Sequence, residues 1–81
     1  MQVNVRFLSY LASLAGAEQV TLDLPGPATV ADLSQRLQEM YPAHAALLAR
    51  VTYLVDHASA HPGTALEDGA QVLALLTLSG G

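Results

Sequence analysis

Apolar and polar residues alternate from the start of the chain. Val3, Val5 and Phe7 are separated by Asn4 and Arg6, the period-two pattern of a half-buried strand. Leu8–Ala15 predicts a short helical turn, with Gly16 placed to end it. Val20, Leu22 and Leu24 alternate with Thr21 and Asp23, predicting a second strand that pairs with the first through a longer-than-tight connection. Pro25-Gly26-Pro27 then breaks the chain. Thr29 suits the N-cap of the main helix, with Asp32 at the capping-box position and near the positive end of the helix dipole. Val30, Leu33, Leu37 and Met40 recur at i, i+3, i+7 and i+10 as one apolar stripe. Pro42 ends that helix, and Ala43–Arg50 is a weaker, Ala-rich helical piece.

Val51–Asp56 predicts a third strand. His57–Gly69 reads as a loop with room for one very short strand and turn signals at Pro62-Gly63 and Asp68-Gly69. Gln71–Leu78 predicts the last strand. The order β-β-α-β-(β)-β, one helix against a mixed sheet, is an α+β arrangement and matches the β-grasp pattern of ubiquitin. Residues 1–81 are expected to form a single domain, with residues 79–81 as a flexible tail beyond the last strand.

That last strand is apolar on both faces. Val72, Ala74, Leu76 and Leu78 point one way, and Leu73 and Leu75 the other. Runs of this kind belong in strands covered on both sides, yet only one substantial helix is available to cover them. The second face therefore predicts a protein partner. Val51, Tyr53 and Val55 against Leu54 show the same excess more weakly.

Composition narrows the function. The chain has 81 residues, 52% of them hydrophobic, and a net charge of −4. Its cations are Arg6, Arg36 and Arg50, with no lysine. Without a basic stripe, binding to nucleic acid or an anionic membrane is not expected, and the net charge favours a basic protein partner. No run is long enough to cross a bilayer, and Met1–Gly16 lacks the features of a signal peptide, so a soluble, cytoplasmic protein is expected. There is no cysteine, which removes disulfides, iron–sulfur sites and thiolate zinc sites. His57 and His61 stand four apart in a predicted strand end and loop, without a third ligand, so no metal site is expected. Ser9 and Ser79 have no histidine–acid constellation around them. Asp56, Glu67 and Asp68 could form an acidic rim, and Arg6 could pair with such acids or with a partner.

The chain closes on Ser79-Gly80-Gly81, directly after the predicted strand. Glycines are costly to order and add nothing to a core. Placed there, they make a thin, side-chain-free stalk for a carboxylate. ATP can convert a carboxylate to an acyl-adenylate, and sulfur can displace AMP to leave a thiocarboxylate. Without cysteine, Gly81 is the position where this chain can carry sulfur. The lack of lysine also removes a side-chain amine that would attack such an activated end.

The sequence resembles the MoaD/ThiS sulfur-carrier family, and within it the small subunits of molybdopterin synthase. Val5-Arg6-Phe7-Leu8 followed by Leu11, Leu14 and Gly16 is similar to the family's opening. Thr29-Val30-Ala31-Asp32-Leu33 resembles its helix start, and Leu66-Glu67-Asp68-Gly69, Val72 and Ser79-Gly80-Gly81 keep its closing spacing. Five positions, at three places in the chain, depart from it. Leu76 and Thr77 stand where the family usually has prolines, Asp56 replaces a common asparagine, and Ala12-Ser13 replaces a frequent Arg-Glu pair. The resemblance implies that an E1-like adenylating enzyme (MoeB/ThiF-like) activates Gly81 with ATP and magnesium, and that a sulfurtransferase supplies sulfur. It implies that the charged tail, Ser79, Gly80 and Gly81, then enters a MoaE-like large subunit, where the thiocarboxylate attacks a pterin precursor. This chain would bind no cofactor and would act as a co-substrate. The residues expected at the partner interface are Phe7, Leu73, Leu75, Leu76 and Leu78. Related carriers for thiamine, cysteine or tRNA thiolation, and a ubiquitin-like modifier joined to lysines, are the alternatives.

Overall fold

The computed structural model describes residues 1–8 and 10–76. Ser9, Thr77, Leu78, Ser79, Gly80 and Gly81 lie outside the described residues. β1 (Gln2–Phe7) pairs antiparallel with β2 (Gln19–Asp23), with Asn4 opposite Thr21 and Val5 opposite Val20. On its other side β1 runs parallel to β7 (Ala70–Leu75), so that Val5 meets Val72 and Arg6 meets Leu73. β7 pairs antiparallel with β4 (Thr52–Val55), which turns back into β5 (Ala58–Ser59). The sheet order is thus β2-β1-β7-β4-β5. Two parallel neighbours need a crossover, and it is supplied by α2 (Val30–Met40).

α1 (Tyr10–Ala15) starts two residues later than the apolar pattern suggests and ends at Gly16, whose φ of 73° places it in the left-handed region. α2 opens on the predicted cap. The Thr29 hydroxyl accepts from the Asp32 backbone N–H at 3.4 Å, and an Asp32 carboxylate oxygen accepts from the Thr29 N–H at 2.8 Å. After α2 the Ala-rich stretch resolves into a 3-10 turn at Pro42–His44 and a one-turn helix, α3 (Ala45–Leu48). The long loop holds two short strands where one was expected. β5 returns from a two-residue turn in which Asp56 and His57 have φ of 48° and 71°. β6 (Ala65–Leu66) pairs with β3 (Ala28–Thr29), a strand with no sequence signal because it comprises only two residues at the helix entrance.

The core lies between the sheet and the helices. Val3, Val5, Phe7, Tyr53, Val72 and Ala74 from the sheet form one buried cluster with Val30, Leu33 and Leu37 of α2, Leu11 of α1 and Leu48 of α3. The predicted stripe of α2 holds for three positions. Its fourth, Met40, is 39% exposed, and the C-cap residue Tyr41 packs against the core in its stead. Phe7 was expected at the partner interface. It is instead a core residue, 3% exposed, with its ring edge-on to Tyr41 at 6.4 Å between centroids. Leu76 also packs half-buried against the core, following the inward parity of Val72 and Ala74.

The Tyr53 hydroxyl is buried without a hydrogen-bond partner. Burial raises its pKa above the tyrosine value of 10.0; Ser34 on α2 opposes this weakly without forming a well-aligned hydrogen bond. The neutral phenol is therefore favoured in the folded state. Because the unfolded chain gives up this proton first, Tyr53 supports the fold fully below pH 10.0 and ceases to do so as pH rises through the higher folded value. Tyr53→Phe should leave stability unchanged or slightly raised at neutral pH and flatten the alkaline fall in urea midpoint. Leu37→Ala, at a position with no exposure, should cost about 2–5 kcal/mol in the same titration. Asp32→Ala, which removes one half of the cap, should cost about 1 kcal/mol.

Candidate functional site on the outer sheet face

A strand that buries every second residue presents the others on its opposite face. On β7 those are Gln71, Leu73 and Leu75, and on β4 Thr52 and Leu54. Leu73 is flanked by Arg6 of β1 on one side and Leu54 of β4 on the other, and Leu75 lies opposite Thr52. Leu8 continues β1, its N–H donating to the Ala74 carbonyl at 3.1 Å, and is 37% exposed. Leu54, Leu73 and Leu75 are half-buried, and among the described residues none of the three belongs to the core or to the hydrophobics packed against it. Together with Arg6, His57 and Gln71, the residues Leu8, Leu54 and Leu73 line a shallow groove of about 480 Å³.

Of the five residues expected at the interface, the structure places two, Leu73 and Leu75, on this outer face. Phe7 and Leu76 turn inward, and Leu78 lies outside the described residues. Leu8 and Leu54 take their place beside Leu73. Leu54 carried a sequence signal as the odd apolar residue between Tyr53 and Val55, but only the β4–β7 register sets it next to Leu73. Nothing in the alternation distinguishes Leu8 from a helix-start residue until the ladder is known to run past Phe7.

The charges are arranged differently from the predicted rim. Asp56 sits at the β4–β5 turn and its carboxylate accepts from the Gln71 N–H at 3.0 Å. Asp68 accepts from the Gln2 N–H at 2.6 Å, and the next residue, Gly69, with φ of 83°, donates to the Gln2 carbonyl at 2.7 Å. These two acids hold turns at the ends of the central strands. Among the described residues the one ion pair is Met1 N with Asp23 at 3.5 Å, so exposed Arg6 has no carboxylate within reach. His61 is engaged locally, its Nδ1 accepting from the Gly63 N–H at 3.1 Å. Among the described residues no group of three or more potential ligands is placed to hold a metal, and no helix is long and apolar enough to cross a membrane. What this face offers is contact area and one cation, the properties of a docking surface. It adjoins the strand that leads to Gly80 and Gly81, both outside the described residues.

No curated protein matches the sequence. Among solved structures, the small archaeal modifier protein SAMP1 from Haloferax volcanii is 25% identical, with a TM-score of 0.85 and full coverage of both chains. A putative molybdopterin converting factor subunit 1 from Pyrococcus furiosus is 21% identical, with a TM-score of 0.87 over 96% of this chain and 99% of that one. A complex of subunits 1 and 2 of the molybdopterin-converting factor from Helicobacter pylori contains a chain 18% identical, with a TM-score of 0.68 and full coverage of both. All three share the ubiquitin-like β-grasp architecture described above. The ThiS family model matches residues 5–81, from the middle of β1 through the terminal glycine pair, and the chain therefore belongs to the ThiS family.

Proposed function

We propose that this chain is the sulfur-carrier subunit of a molybdopterin synthase, with Gly81 as the carrying position. The observation that supports this most is the family match running without a break through Gly80 and Gly81. The likeness to the Pyrococcus furiosus subunit 1 and to the Helicobacter pylori complex of subunits 1 and 2 adds to it. The fold supplies a physical reason. β7 is bonded on both sides, to β1 and to β4, so the segment that leads to the tail starts from a fixed base. A fixed base and an exposed docking face together allow a partner to grip the body and receive the tail in one orientation.

In this mechanism an E1-like adenylating enzyme holds the outer face and uses ATP and magnesium to convert the Gly81 carboxylate to an acyl-adenylate, releasing pyrophosphate. A persulfide on a sulfurtransferase attacks the adenylate and expels AMP to form an acyl disulfide, and a second thiol reduces its S–S bond to release the Gly81 thiocarboxylate and leave a disulfide on the partner side. A MoaE-like large subunit then takes the tail and directs the sulfur to a pterin precursor. The acid–base groups belong to the partners, and this chain is consumed and recharged as a co-substrate. The need for ATP makes the cytoplasm the proposed compartment. A second role, as a modifier joined through Gly81 to lysines of other proteins, is favoured by the likeness to SAMP1.

Intact-mass measurement after incubation with an adenylating enzyme, ATP and a sulfur source tests this directly. The expected result is a gain equal to one oxygen-to-sulfur exchange, confined to the C-terminal peptide and lost when Gly81 is deleted. No gain in a folded chain would sink the carrier function. Lysine-linked adducts in cells, without sulfur transfer, would select the modifier instead.

A further inference from the structure

The net charge of −4 predicts a basic partner, but the groove on the outer face has the opposite local character. Its one formally charged side chain is Arg6, set between the polar flank of the sheet and Leu73. Among the described residues Arg6 forms no ion pair, and three of the acids are held elsewhere: Asp56 by the Gln71 N–H, Asp68 by the Gln2 N–H and Asp23 by the Met1 amine. His57 and Gln71 line the same groove and bring no negative charge.

Resting on the carrier function proposed above, we infer that the protein segment seated on this face presents a carboxylate to Arg6, next to an apolar side chain that packs on Leu54 and Leu73. The physical argument is one of desolvation. Arg6 and Leu73 are paired neighbours on adjacent strands, about 4.8 Å apart in the sheet. Any partner that covers Leu73 also strips water from the guanidinium. Leaving a guanidinium half-desolvated without an acceptor cancels much of the gain from the apolar contact. A carboxylate restores it best, because the planar fork takes two parallel hydrogen bonds. The overall negative charge of the chain opposes long-range attraction to an acidic segment, so the pair sets orientation at short range instead of speeding encounter.

The test uses the full chain as substrate for its E1-like adenylating enzyme, followed by ATP–pyrophosphate exchange at varied chain concentration. Arg6→Glu is compared with Arg36→Glu, an exposed position on α2 that changes net charge equally but lies outside the groove. Arg6→Glu should raise KM for the chain about tenfold or more with kcat little changed, and Arg6→Lys should fall between it and the wild type. Arg36→Glu should stay within about twofold of wild type, since an exposed charge far from the contact is screened. All three variants should melt with the wild type, because both arginines are exposed. Equal KM for Arg6→Glu and Arg36→Glu, with the wild type an active substrate, would overturn this inference alone. A folded wild-type chain that supports no exchange would overturn the carrier function and this inference with it.

Discussion

The pairing of β7 with β1 on one side and with β4 on the other is the constraint around which the chain is arranged. One neighbour runs parallel and the other antiparallel, so β7 can enter the sheet only after α2 has carried the chain across its face. Once it is there, every second residue from Ala70 to Ala74 must fit the space left between β1, β4 and α2. Those residues are small or β-branched, and they are buried against Leu33 and Leu37. The turns at both ends serve the same pairing. Asp68 and Gly69 bond to Gln2 at the start of β1, and Asp56 bonds both ways with Gln71 through its N–H and its carboxylate.

Satisfying that constraint on the inner face leaves an apolar surplus on the outer one. Leu73 and Leu75 cannot turn inward without moving Val72 and Ala74 out, because a one-residue slip exchanges the two faces. Leu54 and Leu8 meet them across the strands, and the result is a contiguous apolar surface beside a lone cation. A small domain keeps such a surface at a cost in solubility. The same central strand gives the tail a rigid origin. The apolar outer face and the fixed position of β7 are thus two consequences of one pairing.

The main elements were legible because they depend on local rules. The alternation in β1 and β2, the capping box at Thr29 and Asp32, and the turn at Asp68-Gly69 are each set by side chains within a few residues. β3 and β6 were not, since two residues carry no period and are held as strands only by each other. The candidate site was partly legible. The two-faced apolar run announced an apolar outer face, but of the residues expected there Phe7 is buried in the core and Leu76 packs half-buried against it. Both are apolar residues near strand ends, and hydrophobicity alone does not say which face they take.

By itself, the sequence determined the α+β composition, the core face of each long element, the lack of a cysteine thiol and the glycine pair at the end of the chain. Those follow from residue type and short-range spacing. The tertiary structure decided which leucines share the outer face, that Arg6 stands among them with no ion pair among the described residues, and that Asp56 and Asp68 are bound into turns. The reason is register: residues 6, 54 and 73 are neighbours only because three strands distant in the chain are hydrogen-bonded side by side, and no local pattern encodes that distance.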